Sequence, residues 1–281
     1  MQDITSTSEL VAFAAAMCGA GVAGGVLAGL LGVGGGIIIV PVLYSVFLAL
    51  KIPAAIAIKV AVATSLATIM VTSVSSARSH ARRGAVDVPL LKSWGPAIVV
   101  GVVIGTAIAG HVKGDVLTGV FAVVALIVAL NMLLRPTSAG LMPDFPNKVV
   151  KAACGVIVGL FSAMMGIGGG TLSVPILTAF GFEIRRAVGT AAAIGFLIAI
   201  PATIGYVIAG WESPDLPPLS LGFVNVIAFV ALVPLTTLFA PLGARIAHAI
   251  PPKALSYAFG VFLFITSARM FYSLLLGASP G

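Results

Sequence analysis

Apolar residues run through this chain in long, nearly unpunctuated stretches, and polar residues are confined to the short segments between them. Six stretches, 54–77, 89–112, 116–134, 187–210, 219–243 and 254–276, are each long enough to cross a bilayer as one helix, which takes about 20 residues for roughly 30 Å of hydrocarbon. Two others, 10–50 and 149–180, are too long for a single helix. Each is split near its middle by the same cluster: Leu31-Gly32-Val33-Gly34-Gly35-Gly36 followed by Pro41, and Met165-Gly166-Ile167-Gly168-Gly169-Gly170 followed by Pro175. The pieces after the breaks, 37–50 and 171–180, would be roughly 21 and 15 Å long at 1.5 Å per residue, which predicts half-depth helices.

Composition places these stretches in a membrane rather than in a soluble core. Of 281 residues 60% are hydrophobic and 8% charged, with a mean hydropathy of +1.20, against roughly 25% charged residues in soluble domains. Residues 1–8 are polar without a basic cluster, so the first stretch is expected to be a retained membrane element and not a cleaved signal. The net charge of +7 comes from scattered basic residues rather than a tract, which argues against nucleic acid as a partner. Cys18 and Cys154 form neither a metal pattern nor a disulfide framework, and no cofactor is expected.

Lysine and arginine near the span ends set the expected orientation. Arg78, Arg82, Arg83 and Lys92 mark one loop as cytoplasmic; Arg135, Lys148 and Lys151 mark the central linker; Arg185, Arg186, Arg245 and Lys253 mark two more. The opposite side holds Glu212 and Asp215 and the N-terminal tail, with Lys51, Lys59 and Lys113 as exceptions. Under this assignment Ala61-Val62-Ala63-Thr64-Ser65 runs inward while its match, Ala187-Val188-Gly189-Thr190-Ala191, runs outward. A further match, Gly105 to Ala109 against Gly243 to Ala247, extends the likeness over three spans.

The chain is therefore expected to be an all-α, polytopic integral membrane protein of two inverted repeats. Each repeat is a Gly-broken, re-entrant-like helical hairpin followed by three transmembrane helices. The first repeat covers 1–136, a proline-bearing linker 137–147, and the second repeat 148–281, with the N-terminus outside, the linker cytoplasmic and the cell membrane as the location.

A buried break leaves peptide groups unpaired in hydrocarbon unless something meets them. At the start of each half-helix the free amides also carry the positive end of the helix dipole, which attracts anions. The candidate site is accordingly Gly34, Gly35, Gly36 and Ile37 with Gly168, Gly169, Gly170 and Thr171. Hydroxyls of Thr64, Ser65, Thr190, Ser162 and Ser173 are candidate neutral donors, and Arg269, inside the last span, is a candidate contact or an interfacial anchor. Gly32, Pro41, Gly166 and Pro175 are expected to shape the breaks and permit gating. Lys59 and Arg185 occupy matching positions at opposite mouths. All eight acidic residues fall in loops or at span ends, and His80, His111 and His248 at loop edges, where solvation is the expectation for each.

At these motifs the chain resembles the sulfite exporter TauE/SafE family, whose members carry a G-x-G-G-G then Pro pattern near the start of each half and a Thr-Ser or Gly-Thr element after it. Gly32 to Pro41 with Thr64-Ser65, and Gly166 to Pro175 with Gly189-Thr190, carry the likeness; Ala191 stands where the first half has Ser65. The resemblance implies a permease for sulfur-containing anions such as sulfite or organosulfonates including sulfoacetate, usually outward. With the duplicated break it predicts export of a small anion by alternating access around a midplane site. An anion channel lined by the same hairpins is the alternative. No G-x-S-x-G elbow, H-E-x-x-H pattern or buried acidic pair supports an enzyme.

Overall fold

A computed structural model of the protein describes residues 7–134 and 144–275. Its elements are α1 (Thr7–Leu31), α2 (Gly36–Ala49), α3 (Ala54–Ala81), α4 (Val88–His111), α5 (Gly114–Leu134), α6 (Lys148–Met165), α7 (Gly170–Ala179), α8 (Ile184–Ala209), a two-stranded ladder β1 (Ser220–Leu221) and β2 (Val224–Asn225), α9 (Val226–Ala249) and α10 (Pro252–Leu275). The architecture is all-α. Six of the helices, α3, α4, α5, α6, α8 and α9, are long and apolar enough to cross a membrane. Most of the expected linker, 137–143, lies outside the described residues; its last residue, Asn147, caps α6 by accepting from the Val150 amide at 2.8 Å.

Helices start and stop where side chains and glycines allow. Asp87 and Asn225 cap α4 and α9 through the amides three residues on. The expected span over 219–243 begins later than the apolar run suggests. Gly222 adopts a left-handed φ of 54° and Leu221 pairs antiparallel with Val224, so this stretch folds as a tight hairpin before Asn225 opens the helix.

The two halves repeat the same succession of five helices, and they pack by exchange: α1 lies along α9, α6 along α4, α3 against α8, and α5 against α10. Small residues let the exchanged pairs close in. A Cβ on Gly25 would press on the Thr236 carbonyl of α9, and one on Gly159 on the Ile98 carbonyl of α4.

Two distinct ends result. At one, Lys59 donates to the Gly110 carbonyl at 3.1 Å and lies 5.5 Å from the centre of the Phe223 ring. At the other, Phe145 packs on Phe180 with ring centres 4.2 Å apart, Arg185 donates to the His248 carbonyl at 3.2 Å, and Arg186 pairs with Asp87 at 3.1 Å. Lys59 and Arg185 thus play the same part in the two halves, each binding a carbonyl in the last turns of a long helix. The α1–α2 hairpin opens toward the first end, and the α6–α7 hairpin toward the second, where Phe145 and Phe180 meet.

Candidate transport site

Each hairpin turns because its glycines adopt backbone conformations that other residues resist. Gly32, Gly34 and Gly35 have φ of 65°, 73° and 81°, and Gly166 has φ of 68°. Beyond Gly166 the Ile167 amide bonds back to the Ser162 carbonyl at 3.1 Å, which closes α6. The short helices then begin at Gly36 and Gly170, and neither has a side chain capping its first amides. Both carry an internal proline, Pro41 or Pro175, which withholds one more amide from the ladder.

The two bends lie directly against one another. A Cβ on Gly36 would collide with the Gly166 carbonyl, one on Gly168 with the Val33 carbonyl, and one on Gly170 with the Gly32 carbonyl. Residues 31–37 and 162–171 are buried throughout. Ser65 adds a hydroxyl bond of 2.7 Å to the Gly166 carbonyl. The candidate residues Gly34 to Ile37 and Gly168 to Thr171 therefore sit together at the junction.

The candidate hydroxyls divide into two groups. Thr64 accepts a bond from the Asn225 amide and Thr190 one from the Asp87 amide, each at 2.9 Å. These are equivalent ties, one in each direction between the halves, and they bind the residue that opens the next long helix of the other half. Ser162, Thr171 and Ser173 differ, because all three hydroxyls are buried and have no partner. Their exposures are 1%, 1% and 0%, too low for water to satisfy them from the surface.

Aligning the breaks sets Ser162 against Ala28, Thr171 against Ile37 and Ser173 against Ile39, so the unpartnered hydroxyls belong to the second hairpin alone. Beside that hairpin, Gly195 of α8 has room for a Cβ next to the Gly169 amide. A Cβ there would meet only ordinary contacts, 3.5 Å from Ser73 Cβ and 3.9 Å from the Gly169 nitrogen.

Arg269 stands apart from this junction. It donates to Ser45 Oγ at 2.7 Å, and Ser45 donates to the Pro41 carbonyl at 2.8 Å, so the exposed guanidinium ties α10 to the short helix α2.

Two features escaped the sequence reading. His80 is not a solvated loop-edge residue; it is 1% exposed. Its Nε2 bonds to the Gly29 carbonyl at 2.7 Å, and its ring lies 5.5 Å from that of His248. The apolar turns of α1 and α9 close over the end of α3, which a count of local polarity does not register. Tyr206 of α8 makes the matching bond, donating to the Ala163 carbonyl at 3.2 Å. Each hairpin is thus latched three residues before its break by a ring from the long helix that follows.

The second feature is a groove of about 880 Å³ over α3 and between α8 and α9, with Arg78, Arg82, Arg83 and Arg245 at its rim. Sequence reading treated these arginines only as markers of orientation. Their convergence depends on the packing of α9 against α3, which no local pattern reports.

A bundle of bilayer-length helices around two abutting buried helix breaks is the frame of a multi-pass membrane transporter. The chain matches the sulfite exporter TauE/SafE family over residues 17–270, and it belongs to that family. It is 30% identical over 251 residues to a probable membrane transporter protein of Haemophilus influenzae, an alignment covering 89% of this chain and 95% of that one. A probable membrane transporter protein of Methanocaldococcus jannaschii is 34% identical over 103 residues, covering 36% of this chain and 37% of its own. The probable membrane transporter protein YtnM of Bacillus subtilis is 30% identical over 125 residues, covering 44% and 38%. No solved structure matches the chain.

Proposed function

We propose that the protein exports a small sulfur-containing anion, sulfite or an organosulfonate such as sulfoacetate, from the cytoplasm by alternating access around the junction of the two breaks. The observation that carries this reading is the set of buried, unpartnered hydroxyls on Ser162, Thr171 and Ser173, which flank the second break. A hydroxyl left without a partner in a dry interior costs about 1–3 kcal/mol, so three flanking one break favour a ligand that accepts their hydrogens. The free amides at the start of α7 contribute the positive end of the helix dipole. A sulfite or sulfonate group presents three acceptor oxygens and needs no buried arginine under this arrangement.

In this reading the basic end faces the cytoplasm. The hairpins then open toward opposite faces, as inverted repeats require, and the exchanged packing of α1 with α9 and α6 with α4 supports that relation. Lys59, Phe223 and Tyr206 close the outer end, with Tyr206 and Phe223 in edge contact at 6.5 Å. Rocking of one hairpin against the other would expose the junction to each face in turn. An anion leaving a cell that is negative inside gains roughly 2.3 kcal/mol per charge per 100 mV, enough to drive export without a second ion.

Proteoliposomes loaded with sulfite or sulfoacetate and clamped with a potassium diffusion potential test this reading. Saturable efflux that accelerates when the loaded interior is negative is the expected result. Flux that ignores the potential and follows an imposed pH gradient would refute potential-driven export. Flux that never saturates would favour a channel, and no flux of either anion would refute the substrate class.

A further inference from the structure

The arginine-rimmed groove has the form of a site for one leaflet's lipid. On α3 and its C-cap, Met70, Val74, Arg78 and Arg82 follow at every fourth position and so share one helix face, passing from apolar to cationic along the axis. On α9, Thr237, Pro241 and Arg245 run from a neutral hydroxyl past an apolar ring to a cation. From Met70 to Arg82 the α3 wall rises about 18 Å, close to half of the roughly 30 Å hydrocarbon thickness. The third wall, Phe196 and Ile200 of α8, continues along its own stripe into Ile204 and Ile208, which are 55% and 70% exposed. Leu238 of α9, beside Thr237, is 70% exposed. The groove therefore opens sideways toward the acyl chains, and its rim lies at the basic end.

Charge identifies the occupant. Among the described residues Arg78, Arg82 and Arg245 make no ion pair, and Arg83 bonds only to Ser79, through its carbonyl and hydroxyl. An excess of arginine on one side follows from orientation alone, but convergence of four on one apolar groove does not. Equivalence between the halves sets Arg78 and Arg82 against Ile204 and Ile208, and Arg245 against Ala107, so the repeated fold does not demand these charges.

We propose that the groove binds an anionic phospholipid of the cytoplasmic leaflet, its phosphate held by Arg78, Arg82 and Arg245 and one acyl chain lying along Met70, Val74, Phe196 and Ile200. Basic pockets between helices at the cytoplasmic interface suit such headgroups, and the chain supplies the apolar surface that a free anion lacks. The proposal rests on the orientation given above but not on the transported substrate. It is tested with no transport substrate present, so its failure leaves the transport reading standing.

The test compares the delipidated full-length protein with its Arg78→Gln/Arg82→Gln/Arg245→Gln variant, given phosphatidylglycerol, phosphatidylcholine of the same chains, or glycerol phosphate. Native mass spectrometry reads lipid retention and thermal unfolding reads stability. Retention of phosphatidylglycerol at least tenfold above phosphatidylcholine, a raised Tm with that lipid only, and loss of both in a variant whose lipid-free Tm is unchanged are the expected results. A Phe196→Trp variant, which narrows the apolar wall and spares the rim, should also weaken retention. Equal retention of the two lipids, or full phosphatidylglycerol retention by the arginine variant, would overturn the proposal. So would stabilisation by glycerol phosphate equal to that by the lipid, which would make the groove a mouth for small soluble anions.

Discussion

The α1–α2 and α6–α7 hairpins share a backbone plan and differ in their chemistry. Both end a long helix on a left-handed glycine, both restart as a short helix without a side-chain cap, and both carry proline at the same distance from the break. Where the second hairpin has Ser162, Thr171 and Ser173, however, the first has Ala28, Ile37 and Ile39, all buried. Polar groups near the first break are already engaged: Ser65 bonds the Gly166 carbonyl, and Ser76 bonds the Ala28 carbonyl at 3.1 Å. Duplication supplies two bends with uncapped amides, while the unpartnered hydroxyls lie on one copy. In the proposed transport cycle the apolar hairpin would be the packed surface against which the polar one moves.

The largest effect expected of that difference concerns the two glycines in matching places. Gly169 has an ordinary right-handed helical backbone, with φ of −54°, and a Cβ there would overlap the buried side chain of Ile194, which must shift, but no backbone atom. Gly169→Leu displaces side chains but no backbone, so it should yield more folded, inserted protein than the matching change at Gly35, with efflux lower by about a hundredfold or more, since the bulk lies beside the free amides. Gly35 has φ of 81° and faces the backbone of Gly24. Gly35→Leu should instead lower the yield of folded protein, because left-handed strain and backbone collision act together. Size-exclusion profiles alongside efflux separate these outcomes, and two variants that behave alike would break the contrast.

A smaller effect is expected where the halves are equivalent. Thr64→Val and Thr190→Val each strip a buried amide of its acceptor, at Asn225 and Asp87 respectively, and each should cost about 1–3 kcal/mol in stability. Matched losses in thermal unfolding would support the two-fold relation; a loss in one variant only would contradict it. Smallest is Arg269→Gln. Its bond to Ser45 is exposed and lies away from the second hairpin, so a change in stability below about 1 kcal/mol and an unchanged substrate affinity are expected.

Much of this arrangement is legible in the sequence, and the remainder has a physical cause. Apolar run length fixes α3, α4, α5, α8 and α10 to within a few residues, and the duplicated glycines mark both bends, because these signals are local. Hydroxyl roles are not local. Thr64, Thr190, Ser162 and Thr171 look alike along the chain, yet the first two are consumed by amides more than a hundred residues away and the last two are left without partners. The burial of His80 and the gathering of Arg78, Arg82 and Arg245 likewise arise only when α9 packs on α3. Ala191 in place of Ser65 was a visible departure in the sequence, and its consequence is that one hairpin's carbonyl has a hydroxyl bond that its counterpart lacks.

The central claim, that the second hairpin alone supplies the hydroxyl donors for the anion, is tested most directly by calorimetric titration of sulfite and sulfoacetate into purified wild-type protein and its Ser162→Ala/Thr171→Val/Ser173→Ala variant. Removing unpartnered hydroxyls costs the apo fold little, so an unchanged or slightly raised Tm should accompany an affinity at least tenfold weaker, corresponding to about 1.4 kcal/mol. Equal affinities for wild type and variant, with both proteins folded, would contradict the claim.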